Sequence, residues 1–296
     1  LDTDRIEIIT PSYAADFALC AELSRSIQRW AGPGIQHRII TPKSDLTLFS
    51  ALSSENTSVH DVAEYLSPAL IKIPYRNVWI NRRRVWPPVR GWIAQQLVKL
   101  AAAAASSAQA VVLADSDLVF IAPFEISDLL PRGAAVLYRQ PGAVHAGLPI
   151  HRKWHESSCR LLNMEPPGEE ALTDFVCWPC LWIPDNVRQL LSTVEAVSGR
   201  PWQTAIGGEL FFSEMMLYGI FMERQGGVET TSRMLAATYS EETPLDRPAL
   251  DRLLRSARDD VIAVMISAKS STDIELRNRA IDDFSASRSS YRREQR

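Results

Sequence analysis

The sequence predicts an α/β fold: a mixed, mostly parallel sheet flanked by helices. Three observations predict it. Short apolar runs alternate with helical patterns along the first 120 residues, which is the rhythm of parallel strands joined by crossover helices. The chain has 296 residues, 46% of them hydrophobic and 23% charged, enough to bury a sizeable core. Neither an internal repeat nor a Gly/Ser linker divides it, so residues 1–284 read as one domain.

The elements follow in order. "RIEIIT" (5–10) is a first strand and "AADFALCAELSRSIQRW" (14–30) an amphipathic helix, closed by Gly32, Pro33 and Gly34. "QHRIIT" (36–41) is a second strand that, like the first, ends in Thr-Pro. A less regular stretch leads to "VRGWIAQQLVKLAAAAASSA", strongly helical, which feeds the strand "AVVLADSD". Further strands are expected at 133–139, 174–183 and 260–267, and helices near 152–163, 185–198 and 211–225. The last twelve residues, 285–296, are basic with little to bury, and a disordered tail is expected there.

A net charge of -3 and a pI near 6.0 exert no general pull toward nucleic acid or anionic membrane, so neither is an expected partner. No apolar run reaches the roughly 20 residues of a membrane span, and the N-terminus lacks the order of a signal peptide. A cytoplasmic protein is expected. Four cysteines do not make a disulfide framework. Cys177 and Cys180 form a C-x-x-C, but on a strand their Cα atoms would stand roughly 10 Å apart, too far to bridge. Two small core residues are the favoured reading.

In open α/β sheets, ligands gather beyond the carboxyl ends of parallel strands. Two loops fit. Thr10, Pro11, Ser12 and Tyr13 follow the first strand, where backbone groups and the Tyr13 ring could hold a nucleotide base. An ordinary turn into a helix is the alternative. Asp115, Ser116 and Asp117 interrupt "VVLADSDLVF" between two apolar runs. In an extended backbone the two carboxylates project to one side with Cα atoms roughly 7 Å apart. Bare, such a pair repels; a divalent cation neutralises it, and Mg2+ is commonly held by one or two carboxylates plus substrate phosphates. A solvated turn is the competing reading.

The stretches "IEIITPSYAADF", "RGWIAQQLVKLAAA", "VVLADSDLVFIAPF" and "FFSEMMLYGIF" resemble the GT-A superfamily of nucleotide-sugar glycosyltransferases, and more closely a poorly characterised bacterial branch of it. The resemblance implies a GT-A-like, Rossmann-like sheet and transfer of a sugar from a nucleotide-diphosphate donor to a glycan or small-molecule acceptor. It further implies Mn2+ or Mg2+ as cofactor, with Asp115 and Asp117 on the metal and Asp115 and Ser116 on the donor. In the helix before the triplet, Ile93, Leu97, Leu100 and Ala104 form an apolar stripe, with Trp92, Gln95, Gln96 and Lys99 on a neighbouring face. That face reads as the lining of a polar cleft or as an exposed stripe. In the first case Gln95, Gln96 and Lys99 reach the donor. Arg82, Arg83, Arg84 and Arg90 lie in a Pro-containing loop, where a merely solvated run is the alternative, and Arg90, adjoining the helix, is the one assigned to the donor.

Glu214 opens a helix that is apolar nearly all round, preceded by Gly207 and Gly208. By the resemblance it is the general base that takes the acceptor's proton, although Met215 stands where the family has a second acid. A structural Glu, bonded to Arg or backbone, is the rival. His145 and Asp174 are the candidate acceptor contacts. His151 and His155 have the i, i+4 spacing of a metal pair, with no third ligand in view. All five histidines lie in the first 155 residues, so the late His that completes many GT-A metal sites is missing, and Ser267, Lys269 and Asp273 stand in that region instead. A haloacid-dehalogenase-like phosphatase and a non-catalytic nucleotide-sugar or glycan-binding domain are the alternative functions.

Overall fold

The strands read from the sequence assemble around β1, and the order of the chain fixes where the sheet opens. The computed structural model describes residues 5–73, 76–165, 167–168 and 170–294. β1 (Ile6–Pro11), fully buried, is followed by α1 (Phe17–Trp30) and β2 (Ile35–Thr41). A short helix, α2 (Leu46–Phe49), leads to β3 (Thr57–Asp61). β2 pairs with β1, and β3 with β2, all parallel. Three short strands, β4 (Leu70–Lys72), β5 (Val78–Asn81) and β6 (Arg84–Arg90), then make a separate antiparallel sheet. Here the structure differs from the sequence reading, which had no regular element between the second strand and residue 90. Pro87 and Pro88 are tolerated because β6 is an edge strand, where a missing N–H breaks no ladder.

From β6 the chain enters α3 (Gly91–Ala105), which packs across β1, and returns as β7 (Ala110–Leu113) on the far side of β1. The central sheet has the order β12-β7-β1-β2-β3, parallel except for its edge strand β12 (Cys180–Trp182). After the acidic triplet the chain does not rejoin this sheet. β8 (Leu118–Phe120) pairs antiparallel with β15 (Ala263–Ile266), which pairs parallel with β14 (Ala236–Tyr239). The fold class read from the sequence is therefore the one observed: a mixed, mostly parallel sheet flanked by helices.

The remaining elements cover these sheets. α4 (Ile126–Leu129), β9 (Leu137–Tyr138) and β10 (Gln140–Val144) precede α5 (Pro149–Leu161) and β11 (Leu172–Asp174). α6 (Pro184–Ser198), α7 (Trp202–Ile206) and α8 (Glu214–Gln225) form the helical half, followed by β13 (Thr230–Thr231) and α9 (Arg247–Arg255). α8 is buried from Glu214 to Met222, as its all-round apolar sequence requires. The last helix, α10 (Ile274–Glu294), runs through the segment expected as a tail. Ser285 is buried and Arg288 donates to the carbonyls of Arg258, Asp259 and Val261; Gln295 and Arg296 lie outside the described residues.

Cys177 and Cys180 do not share a strand, contrary to the expectation from the sequence. β12 begins only at Cys180, so Cys177 stands in a loop and the extended spacing does not apply. The two buried thiols, both free, are in hydrogen-bond contact, which with burial raises the Cys177 thiol well above its ordinary range. Among the described residues, no helix is long and apolar enough to cross a membrane.

Candidate functional site

The path of the chain creates the site. From β1 it moves outward to β2 and β3; from β6 it returns through α3 to β7 on the other side. Connections thus leave in opposite directions between β1 and β7, and a crevice opens beyond their carboxyl ends. A cleft of about 590 Å³ occupies this position. It is lined by Pro11 at the end of β1 with Ser12 and Tyr13 after it, by Asp115, Ser116 and Asp117 after β7, and by Ser267, Ala268 and Lys269 after β15. Trp92 and Gln95 of α3 complete one wall, and Trp79 of β5 belongs to another. Its size is that of a ligand pocket.

The triplet is a turn, not a continuation of the strand. Leu118 N–H donates to the Asp115 carbonyl at 3.1 Å, so the extended geometry assumed for the two carboxylates is corrected, although both still line the cleft. The turn carries the chain from the central sheet to the β14-β15-β8 sheet. Arg277 of α10, 2% exposed, fastens it by donating to the Asp117 carbonyl at 2.6 Å and the Ile266 carbonyl at 3.3 Å. Burial pulls this guanidinium down to about 10, still charged at neutral pH.

Each side chain of the turn has a distinct environment. Ser116 Oγ donates to Ser12 Oγ at 2.8 Å, joining the two loops over Cys20, whose thiol burial pushes up to about 12. Asp117 Oδ2 accepts the Ala268 N–H at 3.0 Å. Burial and then the Asp115 charge raise Asp117 to about 6. Asp16, at the start of α1, is raised for the same two reasons in the same order. The cleft thus concentrates three acidic groups.

Lys99 stands behind Asp115. Its Nζ lies 2.8 Å from Asp115 Oδ1 and 3.0 Å from Glu214 Oε1, and only 4% of the residue is exposed. Burial alone would lower its pKa; the two carboxylates outweigh that and hold it above the ordinary lysine range. Glu214, also 4% exposed, is not on the cleft wall. This differs from the placement expected of a base. The first turn of α8 packs against α3, and Glu214 is committed to Lys99.

The other expected residues divide. Gln95 faces the cleft, but Gln96 is buried and structural: it donates to the Phe212 carbonyl at 3.2 Å and accepts the Glu214 N–H at 2.8 Å, tying down the start of α8. Thr10 is buried in β1 with Oγ1 3.0 Å from His37 Nε2, so it does not reach the cleft. Arg90 is exposed, its guanidinium 5.8 Å from the Phe211 ring, and Arg83 and Arg84 line a separate recess with Arg200. His145 is exposed and accepts the Gly147 N–H within its own loop. Asp174 pairs with His151, Oδ2 to Nδ1 at 3.1 Å, while His155 is buried against the Thr173 carbonyl, so 151 and 155 do not act as a pair. Asp273 accepts the Leu276 N–H at the start of α10, away from the cleft.

Sequence reasoning missed Asp16, Trp79 and Arg277. Arg277 had a signal: it shares one helical face with Ala280, Ile281 and Phe284, and a cation in an apolar stripe needs a buried partner. Among the described residues, no cluster of three or more His, Cys, Asp or Glu side chains could by itself hold a metal. A second cavity, about 490 Å³ and lined by Cys177, Cys180, Met215 and Tyr218, contains none of the expected site residues.

A search of the curated proteins returns no match. Among solved structures, the apo structure of the WbbM bifunctional glycosyltransferase is similar with a TM-score of 0.48 and 14% identity, over 95% of this chain and 50% of that one. The chain therefore spans about half the length of that protein. Most of the cleft comes from one continuous stretch, from β1 through the triplet, with only Ser267, Ala268 and Lys269 added from later in the chain. That stretch falls within residues 5–248, which match the model described as Family of unknown function (DUF6492), and to this family the chain belongs.

Proposed function

We propose that the protein is a nucleotide-sugar-dependent glycosyltransferase of GT-A type that works with Mn2+ or Mg2+. The observation that carries this reading is the convergence of Asp115, Ser116 and Asp117 with Ser12, Tyr13 and Lys269 on one cleft at the switch point of the sheet. Tyr13, 51% exposed, offers a ring to a nucleotide base, and Lys269 offers a cation to phosphate oxygens.

The donor set suits the metal. Both ligands are hard carboxylate oxygens, and a site of two carboxylates completed by water and donor phosphates is the usual one for Mg2+. Burial first, and then the neighbouring Asp115 charge, raise Asp117, and a cation shared by the two carboxylates would relieve the second cause. When bound, the metal supplies positive charge to the departing nucleoside diphosphate. The chain's own part is to hold that arrangement in register. Lys99 fixes Asp115 from behind, Ala268 N–H and Arg277 fix Asp117, and the Ser12–Ser116 bond keeps the two loops together.

Burial of Glu214 favours a second reading, a donor-binding domain without turnover. Calorimetry and thermal shift with nucleoside diphosphates, with and without Mn2+, test the site. A metal-dependent rise in melting temperature is expected, and Asp115→Asn or Asp117→Asn should weaken binding at least tenfold while leaving the protein folded. Undiminished binding in both variants would remove the site. Release of nucleoside diphosphate from a sugar nucleotide separates the transferase from the binding domain.

A further inference from the structure

Next to the cleft, aromatic surface is left uncovered. Trp92, in the first turn of α3, lines the cleft and is 42% exposed. Its ring centroid lies 5.5 Å from that of Trp154 on α5, the planes inclined by 37°. Trp154 in turn lies 4.4 Å from His151, at 35°. His151 and Trp154 are three apart on one helix and share a face. The row thus leads from the cleft wall through two indoles to an imidazole. At its end the imidazole is fixed: Nδ1 meets Asp174 Oδ2 at 3.1 Å, and Asp174 Oδ1 accepts the Val176 N–H at 3.0 Å. The ring therefore meets a ligand through Nε2.

Resting on the glycosyltransferase reading, we infer that this row is the acceptor subsite and that the acceptor is a saccharide. A pyranose has one face of C–H groups and an edge of hydroxyls. Flat indole faces take the first, and a carboxylate-oriented imidazole takes the second. Such a mixed requirement fits an exposed Trp92 backed by a half-buried Trp154 that rests on the core beside a fixed polar pair. Continuity with the cleft supplies the remaining argument, because Trp92 belongs to both. A sugar lying on Trp154 and Trp92 is directed toward the place where the donor's sugar would sit. The expected contact Asp174 thus acts through His151, and Trp92 and Trp154 are the residues the sequence did not assign to an acceptor.

The test uses methyl glycosides of glucose, galactose, mannose and N-acetylglucosamine and their disaccharides, added to the whole protein with nucleoside diphosphate and Mn2+. Tryptophan fluorescence and saturation-transfer NMR report binding. At least one probe should bind with millimolar affinity, weakened at least tenfold by Trp154→Ala, largely restored by Trp154→Phe, and weakened at least threefold by His151→Ala. The nucleotide thermal shift should be unchanged in Trp154→Ala. If that variant does not fold, the exposed Trp92→Ala serves for the saccharide arm. A nucleotide shift with no saccharide binding, or saccharide binding indifferent to these variants, overturns the subsite and leaves the donor reading intact. Saccharide binding that depends on the two tryptophans without any nucleotide shift would instead sustain the subsite and sink the donor site.

Discussion

At the scale of single residues, the decisive group is Lys99, a buried ammonium held between two carboxylates 99 residues apart from each other in sequence, at 115 and 214. Removing one member of such a buried network leaves uncompensated charge, which typically costs about 3–5 kcal/mol. Lys99→Met should therefore lower unfolding free energy by about that amount in a urea titration. Glu214→Gln should do less, about 1–2 kcal/mol, because Lys99 keeps Asp115 and the amide can still hydrogen-bond. Since Glu214 does not line the cleft, nucleotide affinity in Glu214→Gln should change by less than about threefold by calorimetry, a small energy difference. Loss of turnover in that variant with stability intact would restore the role of base.

Among the elements, α8 shows how close packing overrides helix propensity. Gly219 sits within it, and a Cβ there would stand 2.1 Å from Phe175 Cγ and 2.5 Å from Phe175 Cβ. Replacement of glycine by alanine in a helix ordinarily gains up to about 1 kcal/mol. Here it must displace a buried ring close to its own backbone, an overpacking that costs about 1–3 kcal/mol. Gly219→Ala should lower the denaturation midpoint, and adding Phe175→Leu should recover part of the loss. A more stable Gly219→Ala protein would contradict this packing. In α3, the same helix serves two purposes: Leu97 and Leu100 fill the core, while Gln96 and Lys99, equally buried, connect to α8 and to the triplet.

For the molecule as a whole, acid sensitivity follows from His37 in the middle of the parallel sheet. It is 1% exposed, and burial lowers its pKa to about 3, against 6.5 when unperturbed. Between those values the unfolded chain binds a proton that the native chain refuses. Stability contributed by the neutral ring is thus fully present above pH 6.5 and is lost as pH falls toward 3, by about 1.4 kcal/mol per pH unit. Melting temperature followed from pH 7 to 4 should show this decline, flattened in His37→Gln, which can still reach Thr10. A decline of unchanged slope in that variant would assign the acid sensitivity to other groups.

What the sequence determined by itself was the periodic part: β1, β2, β7, α1 and α3 are legible because each buries a face whose spacing repeats locally, and the triplet stands out because two charges interrupt an apolar run. The small β4-β5-β6 sheet was not legible, since β4 and β5 are only three and four residues long and β6, mostly exposed or half-buried, is interrupted by prolines that only an edge position excuses. Tertiary structure alone decided what Glu214, Gln96 and Thr10 do. Each meets a partner far along the chain, as Lys99 meets Glu214 across 115 residues, and whether a polar group faces a ligand or a counter-charge depends on packing that no local pattern encodes. Arg277 reaches the Asp117 carbonyl across 160 residues for the same reason: a buried cation must find oxygen wherever the fold brings it.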